Sequence, residues 1–253
     1  MSRPVLLIGV SGTTNSGKTT LAEHLQRRIP GCHIIHQDHY FLNPGDERLE
    51  YVPDVNHHNW EAYSALEMDR MTYDVQRKKK LLAESPGSGP GILLVEGFSF
   101  FGHHGLNSAL NQPSRKCIGM PSTPNCYPGL QNQSIFLILV RRGRHHTSGS
   151  FPNQQRLKRF CPVAALMDKK YFLKVSRDVC WERRRKRTYN PADPPGYFDK
   201  VVWPMYEKHL KDIEDQDDIV YFDTSEKNSL GDVCRIIDSQ LKELIENVNQ
   251  KSD

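Results

Sequence analysis

A glycine-rich stretch near the start of the chain, residues 9–21 with the sequence GVSGTTNSGKTTL, has the residue types needed to hold a phosphate group. Residues 12–19 match the pattern G-x-x-x-x-G-K-[ST]. Gly12 and Gly17 let the backbone curl so that successive N–H groups point at one anion, and Lys18 adds a charge that can reach the β- and γ-phosphates. Thr19 offers a hydroxyl group to Mg²⁺, and the start of the following helix favours negative charge. The residues predicted to bind the phosphates are Gly12, Thr13, Thr14, Asn15, Ser16, Gly17, Lys18, Thr19 and Thr20.

Two other interpretations of this loop are less favoured. A glycine-rich turn without a ligand is one, but the match falls between a clear strand and a clear helix, as a phosphate loop should. A dinucleotide-binding loop is the other, because the acid Asp38 follows about 20 residues later. That loop requires G-x-G-x-x-G, which Gly9, Gly12 and Gly17 do not provide. The loop is therefore predicted to hold a nucleoside triphosphate.

Two acids stand where strands of the predicted sheet end. Asp38 ends the second predicted strand, at the edge where open α/β sheets bind ligands, so it could take a proton from an attacking hydroxyl group or hold a metal-bound water. Glu96 ends the third predicted strand and is a candidate for the acid of a metal site. A helix cap or a loop salt bridge is the alternative role for Asp38, and a purely structural role stays open for Glu96.

A run of basic residues precedes a proline-rich hinge in the sequence CWERRRKRTYNPADPPGYF, residues 180–198. On a helix, Arg183, Arg184 and Arg187 would project from neighbouring turns. In a protein with a phosphate loop, this pattern predicts a lid, at about residues 177–196, that brings guanidinium groups onto a transferring phosphoryl group. A solvated basic face and a nucleic-acid-binding stripe are the alternatives.

The overall composition indicates a globular protein with a small-molecule ligand. The chain has 253 residues, of which 37% are hydrophobic, and a formal net charge of +4, which permits an anionic ligand without arguing for nucleic acid. No apolar run approaches the length of about 20 residues that a membrane span needs, and the first residues lead into a strand rather than a signal peptide. Six irregularly spaced cysteines without a C-x-x-C pair indicate free thiols in a reducing compartment, the cytosol or the nucleus, and we predict a cytoplasmic protein.

The order of apolar segments predicts an α/β fold with a parallel sheet. Short apolar runs alternate with segments of helical period, and strands separated by helices pair in parallel through right-handed crossovers. The predicted strands are residues 5–10, 33–37, 92–96, 171–175 and 219–223, and the predicted helices are residues 18–29, about 60–83 and about 229–248.

One long segment, at about residues 102–161, departs from this pattern. It is rich in Pro, Ser, Gln, Asn and Gly, with one isolated apolar run, IFLILV. Long segments without helical or strand periodicity are typically disordered or functional. We therefore predict a single domain over residues 1–253 that is interrupted by a disordered insertion.

The sequence resembles the nicotinamide riboside kinase family, whose members are P-loop kinases related to uridine kinases. The resemblance rests on GTTNSGKTTL, IHQDHYF, LLVEGF, CWERRRKRTYNPADPPGYFD and VWPMYEKH, and it covers about residues 1–101 and 162–250. It implies a P-loop kinase fold with five parallel strands. It also implies Mg²⁺-dependent phosphorylation, by ATP, of the 5′-hydroxyl group of nicotinamide riboside, and of nicotinic acid riboside as a second substrate, in NAD biosynthesis.

The resemblance also implies a role for each candidate residue. Lys18 and Thr19 correspond to the phosphate and Mg²⁺ residues, Asp38 to the general base, and Glu96 to the acid of the metal site. Arg184 corresponds to an arginine that contacts the riboside. Arg183 and Arg187 correspond to lid arginines that contact ATP. Trp60 and Glu61 occupy the positions of an aromatic–acid pair, usually Tyr-Asp, in which the ring stacks on the pyridine and the acid holds the ribose hydroxyl groups. A core aromatic at the start of a helix is the alternative for Trp60.

Two departures from the family leave other functions open. His39 stands where the family commonly has a second Asp, and the insertion at about 102–161 replaces a short connection behind Glu96. The composition of this insertion resembles translated non-coding sequence, which makes a retained intron one explanation. The alternatives are a uridine-kinase-like enzyme, a nucleotide-binding protein that the insertion has inactivated, and an RNA-binding protein. The sequence does not determine the oligomeric state, the choice between ATP and GTP, or the choice between amide and acid ribosides.

Overall fold

The computed structural model describes residues 2–87, 89–102, 163–226 and 229–250, and within them a parallel β-sheet with helices on both faces forms the core. In chain order the elements are β1 (Val5–Gly12), α1 (Lys18–Arg28), β2 (Cys32–His36), β3 (Tyr51–Val52), β4 (His57–His58), α2 (Met68–Glu84), β5 (Gly91–Glu96), β6 (Lys169–Lys174), α3 (Arg177–Arg184), α4 (Trp203–Lys211), β7 (Ile219–Asp223) and α5 (Ser229–Gln250). The sheet has the strand order β2–β5–β1–β6–β7, and its neighbouring strands are parallel.

The central strand β1 is apolar because both of its faces are covered. Ile8 and Val10 pack into one cluster with residues of α1 and α5, whereas Leu7 packs on the opposite face with residues of α2. Burial on both faces is usual for strands of a parallel sheet, which explains why these runs show no alternation of polar and apolar residues. Because β1 lies in the middle of the sheet, the loop that follows it opens at the carboxyl edge between β5 and β6.

The five predicted strands are confirmed, with end points that differ by a few residues. The predicted helix at about 60–83 begins later than expected, at Met68. The backbone ahead of it makes other hydrogen bonds: the N–H of Glu61 donates to the Asn59 side chain at 3.2 Å, and the N–H of Glu67 donates to the carbonyl group of Tyr40 at 2.8 Å. Trp60 therefore precedes the helix instead of opening it.

Two further features near the sheet edge were not predicted. The polar loop before Trp60 contains the short antiparallel pair β3–β4. The π-helical segment Phe198–Val202 leads directly into α4, so the chain is helical from Phe198 to Lys211. Helix α3 ends at Arg184, and the prediction that Arg187 also lies on this helix is wrong.

Part of the sequence-based prediction concerns residues that are not described. The interruption predicted at about 102–161 falls almost entirely on residues 103–162, which lie outside the described residues. Of the described cysteines, Cys32, Cys180 and Cys234 are buried free thiols. Within the described residues, no helix has both the length and the apolar character needed to cross a membrane.

Candidate active site

The glycine-rich loop between β1 and α1 packs directly on the neighbouring strand β6. Gly12 has a φ of 144°, and a Cβ atom at this position would collide with the carbonyl group of Leu173, so only glycine fits. The N–H of Thr13 donates to the same carbonyl oxygen at 3.0 Å. Gly17 has a φ of 97° just before α1 begins, which is also a glycine conformation. These contacts fix both ends of a tight anion-binding turn at the start of a helix.

Lys18 lies beside this loop among acidic side chains. Its ammonium group donates to the carbonyl oxygen of Thr13 at 2.8 Å and lines a cavity. Burial lowers the pKa of Lys18, and the negative charges of Glu96, Asp38 and Glu61 oppose this shift. Lys18 and Asp38 therefore face the same space, as the sequence-based hypothesis requires.

Thr19 and Glu96 form the second part of the phosphate-side cluster. The Thr19 hydroxyl group lies 3.4 Å from each carboxylate oxygen of Glu96. Glu96 is almost fully buried at the end of β5, and His36 Nδ1 lies 2.7 Å from its Oε1. The chain thus brings a hydroxyl group and a carboxylate together at the sheet edge, and a histidine at the end of β2 holds the carboxylate.

A cavity of about 410 Å³ joins the phosphate loop to the residues predicted to bind a nucleoside. Six of the nine loop residues predicted to bind phosphate line it, whereas Gly12, Thr13 and Ser16 are buried outside the lining. Asp38 also lines it, from a 3₁₀ turn just past the end of β2 rather than from the strand itself. The other lining side chains that the argument uses are Phe41, Trp60, Glu61, Phe98, Arg184, Arg187, Tyr189, Asp193 and Tyr197.

Aromatic side chains form one wall of this cavity. Phe41 stacks on Phe98 with ring centroids 5.9 Å apart and meets Trp60 edge-on at 6.0 Å. The wall is fixed through Gln37, a fully buried residue whose Oε1 accepts from the N–H groups of Phe98 at 2.9 Å and Ser99 at 3.2 Å. Gln37 therefore fixes the backbone of the segment that follows Glu96.

Arg184 is a buried cation shared by two acids. Its guanidinium group makes two hydrogen bonds with Asp193, at 2.7 and 3.1 Å, and one with Glu61 at 3.2 Å. It also donates to the Thr14 hydroxyl group at 3.3 Å, which links the phosphate loop to the predicted riboside residues. Burial raises the pKa of Glu61, and the charge of Arg184 opposes this shift.

The other two predicted lid arginines also lie near the loop. Arg183 donates to the carbonyl oxygens of Asn15 at 3.2 Å and Thr224 at 2.8 Å, and it does not line the cavity. Arg187 lines the cavity from the turn after α3. By contrast, Arg185 is exposed and pairs with Glu182 on the surface.

Several residues of this site were missed by sequence reasoning. His36 and Asp193 hold Glu96 and Arg184, and Phe41 and Phe98 form the aromatic wall. All four lie within sequence stretches that carry the family resemblance, which was the available signal. For His36 no pattern of spacing could have indicated the contact, because its partner is 60 positions away.

A phosphate loop after the central strand, acids at the carboxyl ends of neighbouring strands and an arginine-bearing helix beside the cavity together define a P-loop kinase fold. No family model matches the chain. The chain is 31% identical to "Nicotinamide riboside kinase 1" of Rattus norvegicus over 242 residues, covering 93% of this chain and 95% of that protein. It is 29% identical to "Nicotinamide riboside kinase 2" of Mus musculus over 229 residues, covering 86% and 87% of the two chains. The chain therefore belongs to the nicotinamide riboside kinase family.

More distant similarities are shorter or weaker. A "Uridine kinase" of Borrelia hermsii (strain HS1 / DAH) is 37% identical over 59 residues, covering 23% of this chain and 28% of that protein. Among solved structures, a possible uridine kinase from Bacillus stearothermophilus covers 87% of this chain and 90% of its own, with 12% identity and a TM-score of 0.42.

Proposed function

We propose that this chain transfers the γ-phosphoryl group of ATP to the 5′-hydroxyl group of nicotinamide riboside, a step of NAD biosynthesis, and that it also accepts nicotinic acid riboside. One observation carries the proposal: a single cavity of about 410 Å³ is lined both by the phosphate loop with Lys18 and by Asp38, Trp60 and Glu61. A phosphoryl donor and a nucleoside can thus meet in one cavity. Membership of the family supports the choice of nucleoside.

The phosphate side of the cavity suits a triphosphate with Mg²⁺. Thr19 and Glu96 would hold the ion, because hydroxyl and carboxylate oxygens are ligands that Mg²⁺ prefers and these two groups are only 3.4 Å apart. Mg²⁺ usually takes one or two protein ligands and completes its coordination with phosphates and water. When bound, it neutralises charge on the phosphates. Lys18 would add a positive charge close to the group that is transferred.

The acceptor side suits a cationic nucleoside. Trp60 offers an aromatic surface to a pyridinium ring, and Glu61 can accept from two vicinal ribose hydroxyl groups. Asp38 would accept the proton of the attacking hydroxyl group, which is the step that a general base contributes. Arg184 orients Glu61 and thereby joins the acceptor side to the loop through Thr14.

The arginines are better explained by a lid than by nucleic-acid binding. Arg184 is buried, Arg183 contacts the phosphate loop, and Arg187 lines the cavity, so none of the three is simply part of a solvated stripe. The proposed domain covers the chain from 1 to 253, with a lid at about 177–196 and an interruption at about 102–161. A cytoplasmic location is part of the proposal and is supported by the free thiols of Cys32, Cys180 and Cys234.

A riboside panel tests the proposal. The full chain is incubated with ATP, Mg²⁺ and nicotinamide riboside, nicotinic acid riboside or uridine, and the products are separated by chromatography. We expect the mononucleotides of the two pyridine ribosides, and far less of either product from Lys18→Ala. Turnover of uridine alone would indicate a uridine-kinase-like enzyme instead. Activity that appears only after residues 103–162 are replaced by a short flexible linker would show that the full chain is an inactivated nucleotide-binding protein.

A further inference from the structure

Two motifs of the family resemblance, PPGYFD and VWPMYEKH, lie outside the roles assigned above. Tyr197 belongs to the first, and its side chain is 1% exposed. Its hydroxyl group accepts from the backbone N–H of Trp60 at 3.0 Å and donates to the carbonyl oxygen of His58 at 3.0 Å. Burial raises the pKa of Tyr197, so the hydroxyl group stays protonated and can do both. This one side chain connects the segment just after the predicted lid to Trp60, the residue proposed to contact the pyridine ring.

His209 belongs to the second motif and reaches the next residue. It is 5% exposed on α4, and its Nε2 donates to the carbonyl oxygen of Glu61 at 2.8 Å. Its ring also packs edge-on against Tyr63, with centroids 4.7 Å apart, and against Phe98 at 6.2 Å. The histidine therefore contacts both the backbone of Glu61 and the aromatic wall.

These contacts matter because Trp60 and Glu61 lie outside any helix or strand. A 3₁₀ turn begins at Tyr63, and the two residues ahead of it depend on individual hydrogen bonds for their backbone conformation. Tyr197 holds the N–H of Trp60, His209 holds the C=O of Glu61, and Arg184 holds the Glu61 carboxylate. These three contacts all come from the part of the chain between the start of α3 and the end of α4. They add to two local hydrogen bonds, from the N–H of Trp60 to the carbonyl oxygen of His58 at 3.2 Å and from the N–H of Glu61 to the Asn59 side chain at 3.2 Å.

We propose that Tyr197 and His209 are positioning residues for nucleoside recognition, which act by fixing the backbone of Trp60 and Glu61. This inference rests on the proposed function, because it takes Trp60 and Glu61 to be the groups that contact the riboside. It gives the two motifs a shared purpose: the segment after the arginine run holds the acceptor subsite in shape. Loss of either contact should weaken nucleoside binding selectively and leave ATP binding unchanged.

Tyr197→Phe is the direct test, because it removes only the hydroxyl group. Tyr171→Phe is the matched control, because Tyr171 is also fully buried and its hydroxyl group also makes a hydrogen bond, to Gln240 at 3.0 Å. Tyr171 packs in the core with residues of α5 and does not contact Trp60 through this bond. Calorimetry measures the Kd of nicotinamide riboside and of a non-hydrolysable ATP analogue for both variants. Thermal denaturation measures the stability lost by each.

We expect Tyr197→Phe to raise the riboside Kd roughly tenfold with little change for the ATP analogue. Tyr171→Phe should lose comparable stability and keep both affinities. His209→Phe, which keeps an aromatic ring but removes the donor, should reproduce the selective loss. The inference is overturned if Tyr197→Phe binds the riboside like the wild type, or if both ligands weaken equally in either variant. A wild-type chain that does not phosphorylate the riboside would overturn the proposed function instead.

Discussion

The cavity has two halves that are built in different ways. We call the side with the glycine-rich loop, Lys18, Thr19 and Glu96 the phosphate half, and the side with Asp38, Trp60, Glu61, Arg184 and Asp193 the acceptor half. The loop of the phosphate half is one continuous stretch of backbone, fixed by glycine conformations and by a hydrogen bond to β6. The acceptor half consists of side chains from separate parts of the chain, and Arg184 holds two of its acids together. Backbone-built sites tolerate changes at most side chains, whereas a network of buried charges depends on every member.

Because of this difference, substitutions in the two halves should lower the stability of the fold by different amounts. On the phosphate side, the ammonium group of Lys18 donates to the carbonyl oxygen of Thr13, so its removal does not break a direct hydrogen bond with a buried acid. On the acceptor side, the loss of Arg184 would leave Glu61 and Asp193 without their shared cation. Substitution of Lys18 should thus affect catalysis alone, whereas substitutions in the charge network of the acceptor half should affect folding as well.

Of the substitutions that compare the two halves, the one with the largest expected loss of activity is on the phosphate side. Lys18→Ala should lower kcat by about 10²–10³-fold, because a positive charge that stabilises the transferring group is lost. Steady-state kinetics with ATP and nicotinamide riboside measure this, and urea unfolding should show nearly wild-type stability. Lys80→Ala, which removes an exposed lysine on α2, serves as the control and should behave like the wild type. Equal activity of the two variants would contradict the assigned role of Lys18.

Arg184→Ala tests the stability side of the comparison. Removing one member of a buried charge network costs about 3–5 kcal/mol, because the remaining carboxylates keep their desolvation penalty. Urea unfolding of Arg184→Ala should show this loss. Arg185→Ala removes the neighbouring arginine, which makes an exposed pair with Glu182, and should cost at most about 1 kcal/mol. If both substitutions cost the same, the acceptor half is not held together in the way described.

A smaller effect should appear with pH. The pKa of Glu61 has an ordinary value of 4.5, and burial raises it. Above the raised pKa the side chain is a carboxylate that can accept from the ribose, and below it the side chain is neutral and that interaction weakens. The KM for nicotinamide riboside should therefore increase as the pH falls, with an inflection above 4.5 and by about tenfold per pH unit at most.

Two controls separate Glu61 from other titrating groups. The KM for ATP, measured over the same pH range, should lack this inflection. In Glu61→Gln the KM for the riboside should be high at every pH and should lose the inflection. An unchanged inflection in this variant would assign the titration to another group.

The phosphate half could be predicted from sequence because its chemistry is local. The spacing within one turn identifies Gly12, Gly17, Lys18 and Thr19. The strand before this turn and the helix after it have clear periodicity. The five strands were predicted for the same reason, since their apolar runs are short and well bounded.

The acceptor half could not be derived in this way, because its contacts join distant positions. Trp60 and Glu61 were identified by resemblance alone, and periodicity placed them wrongly on a helix that begins at Met68. The backbone between them and the helix is held by Asn59 and Tyr40, which no helical pattern reveals. The contact between His36 and Glu96 is equally invisible in a single sequence, since neither residue indicates its partner.

The central claim is that Asp38 activates the hydroxyl group of a nucleoside that lies in the same cavity as Lys18. Single-turnover phosphorylation of nicotinamide riboside by Asp38→Asn, compared with the wild type at saturating ATP and Mg²⁺, tests it most directly. The account predicts that the rate of phosphoryl transfer falls by about 10²–10⁴-fold, while calorimetry shows a riboside Kd close to that of the wild type. An unchanged transfer rate in this variant would contradict the claim.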